Sequence, residues 1–322
     1  MPFFPPGTFA GFLRIYLRMR RLLRILLVLL LFPALLAAGV GWLVGPMFLH
    51  PLRRELTPAL VQQADATFLR IGARREDFDI KARDGVLLRG WRVRAAKPNG
   101  DWVLVCHGVG DNRIGVIGHA QLLLVAGYGV VMMDSRAHGA SEGMMATYGW
   151  LERQDTRAII DALEATERPQ HLFALGESMG AGIALQSAAI EPRIEAVVAE
   201  ASFSSLREAS YDYAGLRRSP WLGKTLLAPG TWTMIYRGES LAGFPAAEVS
   251  PENAVAARAF PVFLICDAKD VALPCRHTQR IYAAARGPKQ MWVVPGAYHT
   301  AALGYQPEEF RRRVLAFFDS VR

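Results

Sequence analysis

The sequence predicts an α/β fold, a mainly parallel sheet with helices on both faces, carrying an aromatic-rich cap insertion and an N-terminal transmembrane helix. Three observations predict it. From Trp102 onward, short apolar strands alternate with helical stretches, the pattern of parallel strands joined by crossover helices. One strand, His171–Leu175, runs into Gly176-Glu177-Ser178-Met179-Gly180 and then a small-residue helix, Ala181–Ala189. Ile25–Val44 is a run of 20 residues without a charge, close to the roughly 20 that span a bilayer core of about 30 Å.

The elements follow in order. Residues 1–24 form a basic N-terminal segment, of which residues 12–24 mix bulky apolar and cationic side chains and suit an anionic leaflet surface. The apolar run 25–44 is read as an uncleaved anchor. Ala37-Ala38-Gly39 also fits a signal-peptide cleavage site, but the run continues past it to Val44; a buried helix is the third reading. Residues 45–77 are a connector, helical and polar over most of 50–76, and the main domain covers 78–322. Phe78–Arg94 alternates around Asp84-Gly85, a hairpin signature. Strands are then expected at Trp102–Cys106, Val130–Met133, His171–Leu175, Glu195–Ala199, Val262–Cys266 and Gln290–Val294. Helices are expected at Gly118–Ala126, Trp150–Glu167, Ala181–Ala189, Cys275–Ala285 and Pro307–Val321. The rhythm breaks at about 203–257, where Tyr211, Tyr213, Trp221, Trp232, Tyr236 and Phe244 lie among Pro and Gly. An insertion that long between core strands is usually functional. It is read as a cap whose aromatics wall the site, pack as the cap's own core, or do both.

The net charge of +8 does not mark a nucleic-acid binder. Residues 1–54 hold seven arginines and no acid or lysine, leaving 30 basic against 29 acidic side chains in the rest. A nucleic-acid footprint belongs on the folded domain, and this one is absent there. Five arginines precede the apolar run while Arg53 and Arg54 follow it, so the N-terminus is expected in the cytoplasm and the domain across the membrane. Arg70, Arg74 and Arg75 reduce that bias. Cys106 reads as a small apolar filler. Cys266 and Cys275 pair only if the domain meets an oxidising compartment, which the sequence leaves open. No Cys/His cluster has metal-ligand spacing. Gly108-Val109-Gly110 is followed by Arg113 where a dinucleotide fingerprint needs glycine. Neither metal nor cofactor is expected.

Gly-x-Ser-x-Gly between strand and helix is a nucleophile elbow, a tight turn that lifts a serine hydroxyl out of the sheet. The pattern occurs twice. Gly139-Ala140-Ser141-Glu142-Gly143 lies in a loop without strand–turn–helix surroundings, so Ser141 is read as a loop serine and Ser178 as the nucleophile. A serine needs a base, and the base an orienting acid, here in the chain order Ser, Asp or Glu, His. Only His277 and His299 follow Ser178. His277, in a helix just after Pro274, reads as a solvated or packing side chain. His299 follows the strand Gln290–Val294 in a loop and is the expected base. Asp267 and Asp270 both sit just past Val262–Cys266; Asp270 is the preferred acid, with Glu200 a third candidate. The oxyanion is expected to be held by the backbone N–H groups of Met179 and Val109.

His107-Gly108, the run Asp134-Ser135-Arg136-Ala137-His138-Gly139-Ala140-Ser141, Gly176–Gly180, Asp270 with Pro274, and His299 stand in an order and spacing that resembles the α/β-hydrolases. The chain is most similar to their single-span, membrane-anchored members of the Bem46 and ABHD13 type and to bacterial proteins called serine aminopeptidase-like, over roughly residues 78–321. The resemblance implies that Asp134, Arg136 and His138 shape the entrance loop and are structural. The loop after His107-Gly108 departs from the triple-glycine form of many lipases. The expectation is a serine hydrolase of carboxylic esters with a lipid-like or small-molecule substrate, its domain on the periplasmic side of a bacterial inner membrane. A peptidase of the same mechanism is the alternative, with Glu239 or Glu248 holding an amino terminus. A catalytically idle membrane interaction protein is the reading from another class.

Overall fold

The computed structural model describes residues 8–217 and 219–322, with side chains from Phe12 onward. Residues 1–7 of the basic segment lie outside the described residues. Helix α1 (Thr8–Val44) is continuous through Pro33, so the arginine-rich stretch and the apolar run form one element. A short 3-10 turn, Gly45–Leu49, ends it, and α2 (Pro58–Arg70) follows with Thr57 as N-cap.

Strands β1 (Arg74–Asp77), β2 (Ile80–Lys81), β3 (Leu87–Leu88), β4 (Gly90–Arg94) and β5 (Trp102–Cys106) come next. Then α3 (Ile117–Val125), β6 (Gly129–Met133), α4 (Glu152–Thr166), β7 (Leu172–Glu177), α5 (Met179–Ile190) and β8 (Ala196–Glu200) alternate. The insertion holds α6 (Leu206–Ala214), α7 (Pro220–Lys224) and α8 (Ala228–Ala242), followed by α9 (Pro251–Ala257). The chain closes with β9 (Val262–Asp267), α10 (Arg276–Ala284), β10 (Lys289–Val294), α11 (Ala302–Tyr305) and α12 (Pro307–Asp319).

Eight strands form one sheet in the order β1-β4-β6-β5-β7-β8-β9-β10. Strands β5 to β10 run parallel, while β4 and β1 join antiparallel at one edge. Two apolar layers cover it. Phe68, Trp91, Leu123, Tyr128, Phe310 and Phe318 pack on one face. Ile160, Leu163, Leu185, Val197, Leu264 and Ile281 pack on the other. The all-apolar central strands belong in this double burial.

Two features differ from the sequence expectation. The Asp84-Gly85 hairpin is only β2 and β3, because β4 turns away to pair with β6. The 45–77 stretch is more than a connector: Ala64 and Phe68 enter the core, and β1 lies before Phe78 and forms the sheet edge. Its charged sequence, Arg-Arg-Glu-Asp, hid the strand; an edge strand needs backbone partners more than apolar side chains.

Candidate active site

Every loop that carries a candidate leaves the C-terminal end of a parallel strand, where ligands bind in open α/β sheets. Ser178 follows β7, Val109 follows β5, Asp270 follows β9 and His299 follows β10. Ser178 sits at φ 52°, ψ −117°, a strained backbone that turns its hydroxyl away from the sheet. The flanking glycines make the turn possible. A Cβ on Gly180 would run into the backbone of Cys106 and His107, and one on Gly176 into the backbone of Gly180 and Ala181.

The structure brings the three expected side chains together. His299 Nε2 lies 2.9 Å from Ser178 Oγ, and His299 Nδ1 lies 2.6 Å from Asp270 Oδ2. A carboxylate only accepts, so Nδ1 carries the hydrogen and Nε2 is left to accept the serine proton. Asp270 is itself fixed: its Oδ1 accepts from Ala272 N at 2.7 Å and from Leu273 N at 2.9 Å. Its side chain is buried and that of His299 half-buried.

The other two acids do separate jobs. Asp267 Oδ2 accepts from Thr300 N at 2.9 Å, and Glu200 Oε1 accepts from Ala302 N at 2.9 Å. Together they hold the backbone just past His299, where Thr300 takes a left-handed φ of 55°. Burial first, and then the neighbouring Glu200 carboxylate, push Asp267 up to about 8. Burial pushes Glu177 up to about 7. The loop bearing Asp267 and Asp270 is bracketed by Cys266 and Cys275, which are bonded to each other with Cα atoms 5.4 Å apart. Cys106 is unpaired, and burial raises its thiol to about 12.

Met179 and Val109 both line the cavity onto which Ser178 opens. Among the described residues neither amide donates to another backbone group. Met179 is the first residue of α5, so the helix N-terminus adds its partial positive charge. The loop His107–Asp111 is held by His107, whose Nδ1 meets Gly108 O at 2.8 Å and whose Nε2 accepts from Ser135 N at 3.0 Å.

Ser141 is buried away from this centre. Its Oγ donates to Asp134 O at 2.6 Å and accepts from Arg89 N at 2.8 Å. Asp134 pairs with Arg113 at 2.7 Å and Arg136 with Asp155 at 2.6 Å, both buried. The His138 ring packs against His107. His277 is not solvated: its Nε2 lies 2.6 Å from Asp212 and its Nδ1 2.9 Å from Ser204 Oγ, all three buried. It ties the cap helix α6 to α10.

The cap aromatics differ from expectation. Of the six aromatics named for the insertion, only Tyr213 lines the cavity at Ser178 and only Phe244 joins the cap core; Trp221, Trp232 and Tyr236 face outward. The cavity, about 460 Å³, is walled instead by Met47, Phe48, Tyr148, Phe203, Leu206 and Leu273. Met47 and Phe48 were missed because they fall in the stretch 45–77, which read as a connector. One signal was present: Ala37, Gly41 and Gly45 recur every four residues, a helix-packing pattern. Glu239 spends its carboxylate on Ala246 N, and neither it nor Glu248 lines the cavity.

Comparison with known proteins places this architecture. The esterase Pf2001 of Pyrococcus furiosus superposes with a TM-score of 0.67 at 23% identity, covering 84% of this chain and 99% of that one. The chain is an α/β hydrolase in its fold. The acylaminoacyl peptidase of Pyrococcus horikoshii is a second α/β-hydrolase neighbour, with a TM-score of 0.62 at 16% identity over 80% of this chain and 43% of that one. The family described as serine aminopeptidase, S33, matches residues 97–231 of the hydrolase domain. Among curated proteins, YqkD of Bacillus subtilis is 28% identical over 249 residues, covering 76% of this chain and 79% of its own length. YfhR of Escherichia coli K12 is 25% identical over 254 residues, covering 76% and 80%.

Proposed function

We propose that this α/β hydrolase is a membrane-anchored serine hydrolase that cleaves carboxylic esters with apolar acyl groups. The observation that carries the reading is the unbroken relay from Asp270 through His299 to Ser178, with 2.6 Å and 2.9 Å contacts, at the mouth of an apolar cavity. Ser178 Oγ attacks the ester carbonyl while His299 takes its proton. The alcohol leaves with that proton as the C–O bond breaks, and the acyl group stays on Ser178. Water, deprotonated by His299, then attacks the acyl-enzyme; the acid departs and the serine recovers its proton. Met179 N–H and Val109 N–H hold the oxyanion at each tetrahedral stage, and losing one such donor typically costs roughly 3–4 kcal/mol of barrier. Asp270 keeps the imidazole in the tautomer the first step needs and stabilises the imidazolium.

An ester is favoured over a peptide because the cavity at Ser178 is lined almost wholly by apolar side chains and by no acid that would grip an amino terminus. The helix long and apolar enough to cross a membrane, Phe12–Leu49, supports anchoring. The arginine excess before it supports a cytoplasmic N-terminus, and the Cys266–Cys275 bond suits an oxidising compartment. The test is labelling by a fluorophosphonate together with turnover of p-nitrophenyl esters. Wild type and Ser141→Ala are expected to label and turn over, and Ser178→Ala to do neither. Labelling that survives in Ser178→Ala defeats the assignment.

A further inference from the structure

The cavity at Ser178 does not end at the cap. A second apolar cavity of about 550 Å³ shares Val44, Ser210, Tyr213 and Met234 with it. From there it runs along α1 past Val40, Ala37 and Leu36 to Pro33, with Leu226, Leu227 and Thr231 of the cap as its other wall. Among the described residues no charged side chain lines either cavity.

The cap is built against the anchor to make this groove. Helix α8 packs directly on α1, with Gly41 and Ala37 against Gly230, and Gly45 against Met234 and Arg237. Thr233 Oγ1 donates to Ala38 O at 2.8 Å. These pairings advance together along both chains, so α8 runs parallel to α1. Its uncharged N-terminal part, with the preceding turn Thr225–Leu227, lies beside the middle of the apolar run.

The polar limit of this contact is marked as well. Trp42 stacks with Tyr236 at 6.4 Å and carries Arg237 over its ring at 4.6 Å. Trp, Tyr and Arg together are the composition of a membrane–water interface. Pro33 lies nine residues from Trp42 on the helix, about 14 Å at 1.5 Å per residue. That is roughly the thickness of one leaflet of a core about 30 Å thick. Nearby, Leu35, Leu226 and Trp232 expose apolar surface that a lipid phase would cover.

We infer that the site is reached sideways from the bilayer, and that its substrate is a membrane lipid ester carrying a long acyl chain. The chain lies in the groove between α1 and the cap, its end toward Pro33 and its carbonyl at Ser178. The reaction is the ester hydrolysis already written, releasing a fatty acid and an alcohol, and the inference rests on that reading.

The test uses the full-length protein in phosphatidylcholine–phosphatidylglycerol vesicles. Hydrolysis of 4-methylumbelliferyl oleate placed in the bilayer is compared with that of 4-methylumbelliferyl butyrate added to the buffer, so the leaving group is constant. Val40→Trp on the anchor and Ala214→Phe on the cap each plug the groove from a different wall. The oleate-to-butyrate rate ratio is expected to fall at least tenfold in both. It is expected to stay at the wild-type value in Leu35→Trp, whose side chain does not line the groove. Short-chain fluorophosphonate labelling verifies that each variant is folded; because the plugs sit on separate elements, one that fails to fold leaves the other to decide. Ratios within twofold of wild type in every folded plug variant overturn the inference, as does a wild type that cleaves butyrate but leaves oleate in the bilayer intact. A wild type that cleaves neither ester instead overturns the hydrolase reading itself.

Discussion

Three carboxylates stand within one loop and a strand end of the imidazole, yet each has a different partner, and this gives the sharpest single-residue contrast. Asp270→Asn removes the acceptor that orders the His299 tautomer, so kcat is expected to fall by about three to four orders of magnitude. Asp267→Asn keeps an oxygen for Thr300 N–H and is expected to stay within about tenfold of wild type, a loss of roughly 1.4 kcal/mol. Equal losses in the two variants, measured on p-nitrophenyl butyrate, would refute this division of labour. Glu177 supplies a pH prediction. Its folded pKa, pushed by burial to about 7, exceeds the usual 4.5. The folded form therefore holds its proton after the unfolded chain has lost it. Its contribution to stability is complete below about pH 4.5 and is lost as pH rises through about 7. Glu177→Gln is expected to remove this slope, worth about 3 kcal/mol, and to gain roughly 5 °C or more in Tm at pH 8 relative to pH 5. A Tm difference that does not change between those pH values would refute it. Ser178, His299 and Asp270 were legible because spacing and chain order constrain them. The roles of Asp267 and Glu200 were not, since a carboxylate that holds a backbone amide leaves no mark in the sequence.

Among elements, the turn from β7 into α5 tolerates the least change. Both of its glycines face backbone rather than flexible side-chain ends, so nothing nearby can yield. Gly180→Ala is expected to destabilise the domain by about 3 kcal/mol or more through overpacking, read by thermal unfolding, and to abolish labelling of Ser178. A folded, fully labelled Gly180→Ala protein would contradict the geometry. The central strands were legible from their all-apolar runs, as were the helices between them. Strand β1 was hidden because Arg75 and Glu76 make ion pairs on the sheet edge instead of entering the core. The cap's outward-facing tryptophans misled for a related reason. A pattern of apolar residues reports that surface leaves water, and does not say whether protein or lipid replaces it.

For the molecule as a whole, charge and redox chemistry converge on one prediction of sidedness. If the domain lies outside the cytoplasm, protease added to intact spheroplasts is expected to digest it. Cys266 and Cys275 are then expected to resist maleimide until reduced. Protection of the domain until the membrane is permeabilised would reverse the orientation. The overall α/β architecture was readable from strand–helix alternation, whereas the docking of α8 on α1 depends on a meeting of residues 37–45 with residues 230–237, for which the small-residue repeat marks a packing face without naming its partner. If α1 is the proposed anchor, that docking makes it a poor candidate for exchange. A generic leucine-rich span would still tether the enzyme, but it lacks the notches at Ala37, Gly41 and Gly45 that let the cap close in. Under the proposed function, such a chimera is expected to stay on the membrane and to lose the inferred preference for esters held in the bilayer. On that reading the mooring is also a tool.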